Sequence, residues 1–293
     1  MRLVALFIFI GHLTFAQQEI NKTQPINHGN ALLWKISSNG LKTDSYLFGT
    51  MHLIEKDNFL FPKKLERKIK QSQSLMMELE GLPDSQKTLS LIMLEDGEFF
   101  DFFNKEQIDS IFTWADENFK MNETMFKMSF TKMKPFVVMQ LAAQLYFQGK
   151  TESYEMTFEK IAKENHLTTI GLETIEEQMG FFDDLSDAQQ SEMLMEAIRH
   201  QEEDIEMVKK MQILYANQDL NALYEMITSS GSIISEEQNK FLDNRNKRWI
   251  PKIVDEILKH KTFIAVGAGH LGGQQGVIQL LINQGYTLTP IQL

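Results

Sequence analysis

Cysteine is absent from the 293 residues of the sequence. A disulfide framework and a lipid-attachment cysteine are therefore excluded. Proline is scarce, with six residues, and no linker rich in proline, glycine or serine divides the chain. No apolar run approaches the roughly 20 residues that a membrane-spanning helix requires. We therefore expect residues 17–293 to form a single domain without a permanent membrane anchor.

Basic side chains are also few. The chain has 29 Lys and Arg residues against 40 Asp and Glu residues, which gives a formal net charge of −11 at pH 7. No stripe of Lys and Arg with interleaved aromatic residues is present. A chain this acidic repels a phosphate backbone, so nucleic acid is not an expected partner. We instead expect a peptide or another small molecule as the ligand.

The first 16 residues have the pattern of a cleavable signal peptide. Arg2 precedes an apolar run from Leu3 to Ile10, and Thr14-Phe15-Ala16 resembles a small-residue cleavage site. The apolar run is too short to span a bilayer. We therefore predict cleavage between Ala16 and Gln17, and a periplasmic or secreted mature protein.

Segments with strand patterns alternate with helical segments at both ends of the mature chain. The predicted strands cover residues 31–36, 45–49, 74–80, 167–172, 262–266 and 287–291. The middle is largely helical, over residues 86–150 and 184–260, which we interpret as an insertion. One helix has apolar residues at helical spacing from Ile250 to Leu258, with Pro251 near its start. The pattern predicts an α/β fold with a central mixed sheet covered by helices.

A repeated local pattern carries the main functional signal. Phe48-Gly49-Thr50-Met51-His52 and Val266-Gly267-Ala268-Gly269-His270 each follow a predicted strand. Glycine permits a sharp exit from a strand, and ligands bind at the carboxyl edge of an open α/β sheet. Two histidines delivered to that edge can share a metal ion or divide acid–base work. The alternative is that each histidine only caps its turn.

Two glutamates occupy comparable places. Glu78 follows the apolar residues Leu75-Met76-Met77, and Glu173 follows Ile170-Gly171-Leu172. A buried carboxylate is costly unless a cation, a metal ion or hydrogen bonds compensate its charge. Each acid is therefore either a solvated strand end or a member of a polar site, and the site is favoured for Glu78.

Two further segments are candidates for binding the substrate. Gly272, Gly273 and Gly276 lie in a turn before a predicted helix, where backbone N–H groups suit an oxyanion or a substrate carboxylate. A plain flexible turn explains these glycines as well, and no lysine follows them as a phosphate-binding loop requires. Arg245-Asn246 offers a charged clamp for a carboxylate, and a basic surface helix is the alternative.

Taken in order, these motifs resemble the TraB/GumN family, whose animal relatives include the Tiki membrane-bound metalloproteases. One departure concerns the segment usually written Gly-hydrophobic-Asp, which is Ser153-Tyr154-Glu155 here; it keeps the acid and loses the glycine. The resemblance covers nearly the whole mature chain and rests on Trp34, Leu47–Leu53, Met77–Glu80, Lys134–Phe136, Gly171–Thr174, Gln178, Arg245-Asn246, Gly267–Leu271, Gly273 and Gly276-Val277.

The resemblance implies the α/β arrangement of Tiki and erythromycin-esterase-like proteins, with two pseudo-symmetric halves that each contribute a Gly-x-x-His turn. It implies peptide-bond hydrolysis that needs a divalent metal ion, and it transfers the two histidines and the strand-end glutamate of the family to His52, His270 and Glu78. Ligands of these types, without cysteine, suit Mn²⁺, Co²⁺ or Zn²⁺.

The resulting hypothesis is an exported, metal-dependent hydrolase that acts on peptides. His52, His270 and Glu78 are the expected metal ligands, and either Glu78 or Glu173 is the general base. Arg245 with Asn246, or the turn from Gly272 to Gly276, would hold the substrate or the oxyanion. Two alternatives remain: a binding protein that captures a peptide signal without cleaving it, and a metal-free hydrolase that resembles erythromycin esterases.

Overall fold

The computed structural model describes residues 29–81, 85–229 and 239–293. The predicted signal peptide, residues 1–16, lies outside the described residues, so export stays a prediction. Among the helices that are described, none has the length and apolar character needed to cross a membrane.

A six-stranded mixed sheet forms the centre of the fold. The described strands are β1 (Leu33–Ser37), β2 (Ser45–Thr50), β3 (Ile54–Glu55), β4 (Ser74–Met77), β5 (Thr151–Glu152), β6 (Thr168–Gly171), β7 (Thr262–Gly267) and β8 (Thr287–Ile291). The spatial order in the sheet is β6-β4-β7-β2-β1-β8, and a separate antiparallel ribbon pairs β3 with β5. The strands β6, β4, β7 and β2 run parallel, whereas β1 and β8 extend the sheet in antiparallel pairing.

Twelve α-helices are present in the described part of the chain, and together with the sheet they confirm the predicted mixed α/β fold. The first two strands, β1 and β2, pair in an antiparallel hairpin. The helices are α1 (Lys63–Lys70), α2 (Ser85–Ile92), α3 (Lys105–Phe119), α4 (Glu123–Phe130), α5 (Pro135–Ala143), α6 (Tyr154–Glu164), α7 (Ile175–Asp183), α8 (Asp187–Arg199), α9 (Gln201–Ala216), α10 (Leu220–Ser229), α11 (Asn244–Lys259) and α12 (Val277–Asn283).

Most of the described helices between β4 and β7 fall within the two predicted helical segments. A capping box begins α7: the Thr174 hydroxyl accepts a hydrogen bond from the backbone N–H of Glu177, and the Glu177 carboxylate accepts one from the backbone N–H of Thr174. The single-domain organisation and the pseudo-symmetric halves stay predictions.

Two large hydrophobic clusters stabilise these layers, beside a smaller one around Ala143, Tyr146 and Val208. The first contains the sheet and the helices that cover it, where every residue of β2 and β4 is buried. Phe48 of β2 packs edge-on against Phe158 of α6, with ring centroids 5.8 Å apart. The second cluster joins helices of the insertion through Phe126, Val138 and Leu194. Burial of both strand faces explains why the parallel strands have nearly continuous apolar sequences.

The predicted start of one helix was wrong. Pro251 lies in the interior of α11, which begins at Asn244 directly after a π-helical turn at Asn239–Asp243. Proline cannot donate to the carbonyl four residues earlier, that of Lys247. Lys247 and Pro251 are both exposed, so water can solvate that carbonyl group. The earlier start places Arg245 and Asn246 in the first turn of α11.

A buried carboxyl group in the insertion makes the stability of this fold sensitive to pH. Asp204 of α9 is fully buried, and its Oδ2 accepts a hydrogen bond of 2.9 Å from the hydroxyl of Tyr146. Burial raises the pKa of Asp204 from 3.8 to about 7, against the opposing effect of the Tyr146 hydrogen bond. The unfolded chain therefore releases this proton at lower pH than the folded chain. Between pH 3.8 and about 7, Asp204 lowers the free energy of unfolding increasingly as the pH rises.

We predict that Asp204→Asn removes this contribution, because the amide keeps an oxygen for the Tyr146 hydroxyl and does not ionise. The free energy of unfolding of the variant, relative to wild type, should rise between pH 3.8 and about 7 and then level off. Urea unfolding at a series of pH values measures this difference. Glu202→Gln, on the exposed side of α9, is the control; parallel curves for Asp204→Asn and wild type would contradict the assignment.

Candidate functional site

Four parallel strands end at one edge of the sheet, and the predicted site residues follow those ends. Thr50 of β2 pairs with Gly267 of β7, and Met77 of β4 pairs with Ala265 of β7 and Gly171 of β6. The residues that come next along each strand therefore converge at the same edge. The structure brings together all four predicted side chains there: His52, Glu78, Glu173 and His270.

The first histidine is held by an acid from α6. Nδ1 of His52 lies 2.9 Å from Oε1 of Glu155. The same oxygen accepts a hydrogen bond of 2.8 Å from the Thr50 hydroxyl, and Oε2 of Glu155 accepts one of 3.1 Å from Ser153. A carboxylate can only accept, so Nδ1 of His52 donates, and Nε2 faces Oε1 of Glu78 at 3.9 Å.

The second histidine is held by an amide from α11. Nδ1 of His270 lies 2.7 Å from Oδ1 of Asn246, whose Nδ2 donates to the carbonyl oxygen of Gln275 at 2.8 Å. Because Oδ1 is an acceptor, Nδ1 of His270 donates and Nε2 carries the lone pair. That Nε2 lies 3.9 Å from Oε1 of Glu78. Both imidazoles therefore direct Nε2 toward one carboxylate oxygen.

Arg245 connects the two buried glutamates. Its Nη2 donates to Oε2 of Glu78 at 2.6 Å and to Oε1 of Glu173, and its Nη1 lies 3.2 Å from Nε2 of His270. Its guanidinium group stacks 4.9 Å from the ring centre of Trp249, whose Nε1 donates to Oε2 of Glu173 at 3.2 Å. Arg245 is thus mostly enclosed, and α11 is not a basic surface helix at this point.

The charges of the acids follow from these contacts. Burial alone would raise the pKa of Glu78, but Arg245 and the histidines hold it well below its usual range. For Glu173, burial raises the pKa more than Arg245 lowers it. Burial also opposes ionisation of Glu155, yet His52 lowers the pKa of that carboxyl group. Glu78 and Glu155 are therefore anionic on either side of His52.

The two histidines have different charge states at neutral pH: His52 is cationic and His270 is neutral. Burial disfavours the imidazolium of His52, but Glu155 and Glu78 outweigh it and raise the pKa of His52 to about 9. Burial and the neighbouring Arg245 lower the pKa of His270 to about 3. A pair of groups with pKa values driven apart in this way is typical of an acid–base site.

Two glycines allow the strand ends to approach each other. A Cβ atom on Gly49 would lie 3.1 Å from the Cα atom of Ala268, and one on Gly267 would lie 3.3 Å from Oε1 of Glu78 and 3.6 Å from Nε2 of His52. A side chain on Gly267 would therefore intrude between Glu78 and His52. The backbone N–H of Gly267 itself donates to Oε1 of Glu78 at 2.8 Å.

His52, His270, Arg245 and Gly267 line a pocket of about 150 Å³. Its polar lining includes Thr50, Gln178 and Arg245 beside the two histidines. Its other walls come from α7, α9, α10 and the turn before α11, and they are mainly apolar. Helices of the insertion therefore cover the carboxyl edge of the sheet.

The chain matches the model of the TraB/PrgY/gumN family over residues 32–290. It belongs to this family. No curated protein and no solved structure matches the chain significantly. The matched range contains all of the residues assembled at the sheet edge.

One predicted element of this TraB/PrgY/gumN protein lies outside the pocket. Gly272, Gly273 and Gly276 are not among the residues that line it. A Cβ atom on Gly272 would lie 2.6 Å from the Tyr224 ring, and Gly273 has a positive φ of 78°. A Cβ on Gly276 would lie 2.1 Å from the carbonyl oxygen of Gly272. Close packing accounts for these glycines, and their role in substrate binding stays a prediction.

Sequence reasoning assigned no role to Glu155 or Gln178, which both contact predicted site residues. Gln178 donates to Oε2 of Glu78 at 3.3 Å. The signal for Glu155 was available, because Ser153-Tyr154-Glu155 keeps the acid of the segment usually written Gly-hydrophobic-Asp. Its partner could not be identified, since 103 residues separate Glu155 from His52 and no spacing rule connects them.

The donor set at the sheet edge fits a divalent metal ion in type and direction. The Nδ1 partners of His52 and His270 direct both Nε2 atoms toward Glu78, as second-sphere partners of metal ligands do. Ligand atoms about 2.0–2.2 Å from one tetrahedral ion lie closer together than the observed 3.9 Å, so binding with that geometry requires a small approach. Among the described residues, no group of three His, Asp or Glu stands ready to hold an ion.

We predict that Glu155→Gln lowers the pKa of His52 from about 9 toward its ordinary value of 6.5, because the neutral amide no longer stabilises the imidazolium. NMR titration of the His52 ring protons measures the shift. Glu152→Gln, at the adjacent strand β5, is the matched control and should leave the titration unchanged. An unaltered His52 titration in Glu155→Gln would refute the role assigned to this acid.

Proposed function

We propose that the protein is a hydrolase that cleaves peptide bonds at the pocket where His52, His270 and Glu78 converge, with a divalent cation held by these three side chains. The observation that carries the proposal is the shared neighbour of the imidazoles: each Nε2 lies 3.9 Å from Oε1 of Glu78. Membership of the TraB/PrgY/gumN family supports the proposal, because the sequence motifs resemble those of a family whose Tiki relatives hydrolyse peptide bonds.

A divalent cation bound there would supply Lewis acidity, which polarises a carbonyl group and makes water easier to deprotonate. The protein residues bind and orient the substrate and move the protons. Glu78 is the proton acceptor nearer to the imidazoles, because its Oε1 lies 3.9 Å from Nε2 of both histidines, whereas Glu173 contacts Arg245 and Trp249. Glu173 therefore acts as a positioning residue for Arg245.

Arg245 is the group that can stabilise negative charge on the substrate. Its guanidinium lines the pocket, and Glu173 and Trp249 fix its position. A preorganised donor of this kind stabilises an oxyanion without reorganisation during the reaction. Occupancy of the proposed cation site requires Arg245 to withdraw from Nε2 of His270, which it now contacts at 3.2 Å.

That contact favours a second candidate, hydrolysis without a metal ion. In this alternative Arg245 remains beside Glu78 and His270, and His52 exchanges the proton, since Glu155 stabilises its imidazolium form. Neutral His270 would accept a hydrogen bond from the substrate or from Arg245 at Nε2. The two candidates use the same pocket and differ in the role of His52.

Metal removal distinguishes the candidates. We predict that purified protein cleaves members of a peptide library, that EDTA abolishes cleavage and that Mn²⁺, Co²⁺ or Zn²⁺ restores it.

His52→Ala should lower kcat/KM by at least about 100-fold in excess metal, since even losing an outer partner of a ligand costs about 10–100-fold. His260→Ala, an exposed histidine at the end of α11, is the matched control.

Two other outcomes of these assays would each reject part of the proposal. Cleavage that persists in EDTA would reject the cation and favour the metal-free candidate. Peptide binding without cleavage, retained in His52→Ala, would reject hydrolysis in favour of a protein that captures a peptide signal.

A further inference from the structure

The pocket above the reactive groups is apolar on several sides. Its described walls include side chains from α7, from the insertion helices α9 and α10, and from the turn before α11. Phe182, Leu223 and Phe241 are almost completely buried, so they form fixed walls rather than mobile surface groups. The apolar side chains that line the pocket include Phe181, Phe182, Met211, Leu223, Ile227 and Phe241.

This apolar space is continuous with the reactive groups. A Cβ atom on Gly269, in the second Gly-x-x-His turn, would lie 3.2 Å from Cδ1 of Ile227. Ile227 therefore covers the turn that carries His270. A substrate group enclosed by these walls would be directly adjacent to a bond that reacts at His52, His270 and Glu78.

The size of the pocket limits what it can hold. Its volume is about 150 Å³. An apolar cavity of about 150 Å³ lined by Leu, Ile and Phe binds benzene. The space is therefore large enough for one aromatic ring or one branched aliphatic side chain.

The charges of the pocket disfavour ionic side chains. Two basic groups that can carry a positive charge line it among the described residues: Arg245 is paired with Glu78 and Glu173, and His52 is paired with Glu155. An acidic side chain would find no uncompensated cation among the apolar walls. A basic side chain would have to leave water for the same walls without a carboxylate among the lining residues.

We propose that this cavity binds the side chain of one substrate residue adjacent to the scissile bond, and that this side chain is aromatic or branched and apolar. The proposal rests on the proposed hydrolase function and defines its substrate class. Selectivity would come from burial of apolar surface next to the reactive groups.

Cleavage of matched peptides tests the specificity. The peptides differ at one position beside the cleaved bond, which carries Phe, Leu, Gly, Asp or Lys. We expect kcat/KM for Phe or Leu to exceed that for Gly, Asp or Lys by at least about tenfold, as for other apolar pockets. Equal or higher values for Gly, Asp or Lys would overturn the proposal.

Filling the cavity gives a second test. In Ile227→Trp the larger side chain occupies the space, so the ratio of kcat/KM for the Phe peptide over an Ala peptide should fall at least about tenfold. Ile213→Trp is the matched control, because Ile213 of α9 is 56% exposed and does not line the pocket. Circular dichroism confirms that both variants fold. An unchanged ratio in folded Ile227→Trp would contradict the cavity assignment.

A binding measurement separates failure of this proposal from failure of the hydrolase proposal. If no peptide is cleaved, titrations monitored by NMR compare N-acetyl-phenylalaninamide with N-acetyl-glycinamide. Tighter binding of the Phe amide that is lost in Ile227→Trp and kept in Ile213→Trp would support the cavity even though hydrolysis fails. Equal affinity for the two amides, or no effect of Ile227→Trp, would overturn it.

Discussion

The guanidinium group of Arg245 lies between two buried glutamates and donates to both of them. Without that cation, Glu78 and Glu173 would be two carboxylates enclosed near each other, an arrangement that strongly disfavours ionisation of both. Removing one partner from a buried ionic set typically costs about 3–5 kcal/mol. Arginine suits this position because its planar group offers several donors at fixed angles, which lysine lacks. The organisation of the sheet edge therefore depends on where Arg245 is held.

Packing in the core determines that position. Arg245 is in the first turn of α11, and Ile253 and Ile257 of the same helix are buried in the cluster that contains the sheet. Trp249, one turn after Arg245, is fully buried, stacks on the guanidinium and donates to Glu173. Asn246, beside Arg245, orients His270. One helix thus connects the hydrophobic core with the charge of Glu78 and the orientation of one imidazole.

The sequence alone predicted the fold class and the convergence of His52, Glu78, Glu173 and His270, because each follows an apolar strand and parallel strands share a carboxyl edge. It did not predict what contacts them. Local patterns place a residue along a strand or helix, whereas the pairing of Glu155 with His52 or Arg245 with Glu78 depends on tertiary packing. Pro251 misled the prediction of α11, because a proline on an exposed helix face does not have to mark the helix start.

The two Gly-x-x-His turns also show why a repeated local sequence does not give repeated chemistry. Both turns deliver an imidazole to the same edge, and both imidazoles direct Nε2 toward Glu78. The partner of Nδ1 differs: Glu155 stabilises a positive His52, whereas Asn246 supplies no charge and Arg245 disfavours protonation of His270. Binding of a cation by both rings therefore requires His52 to release a proton, whereas His270 is already neutral. The residues that differ between the turns, rather than the motif they share, determine how each histidine can act.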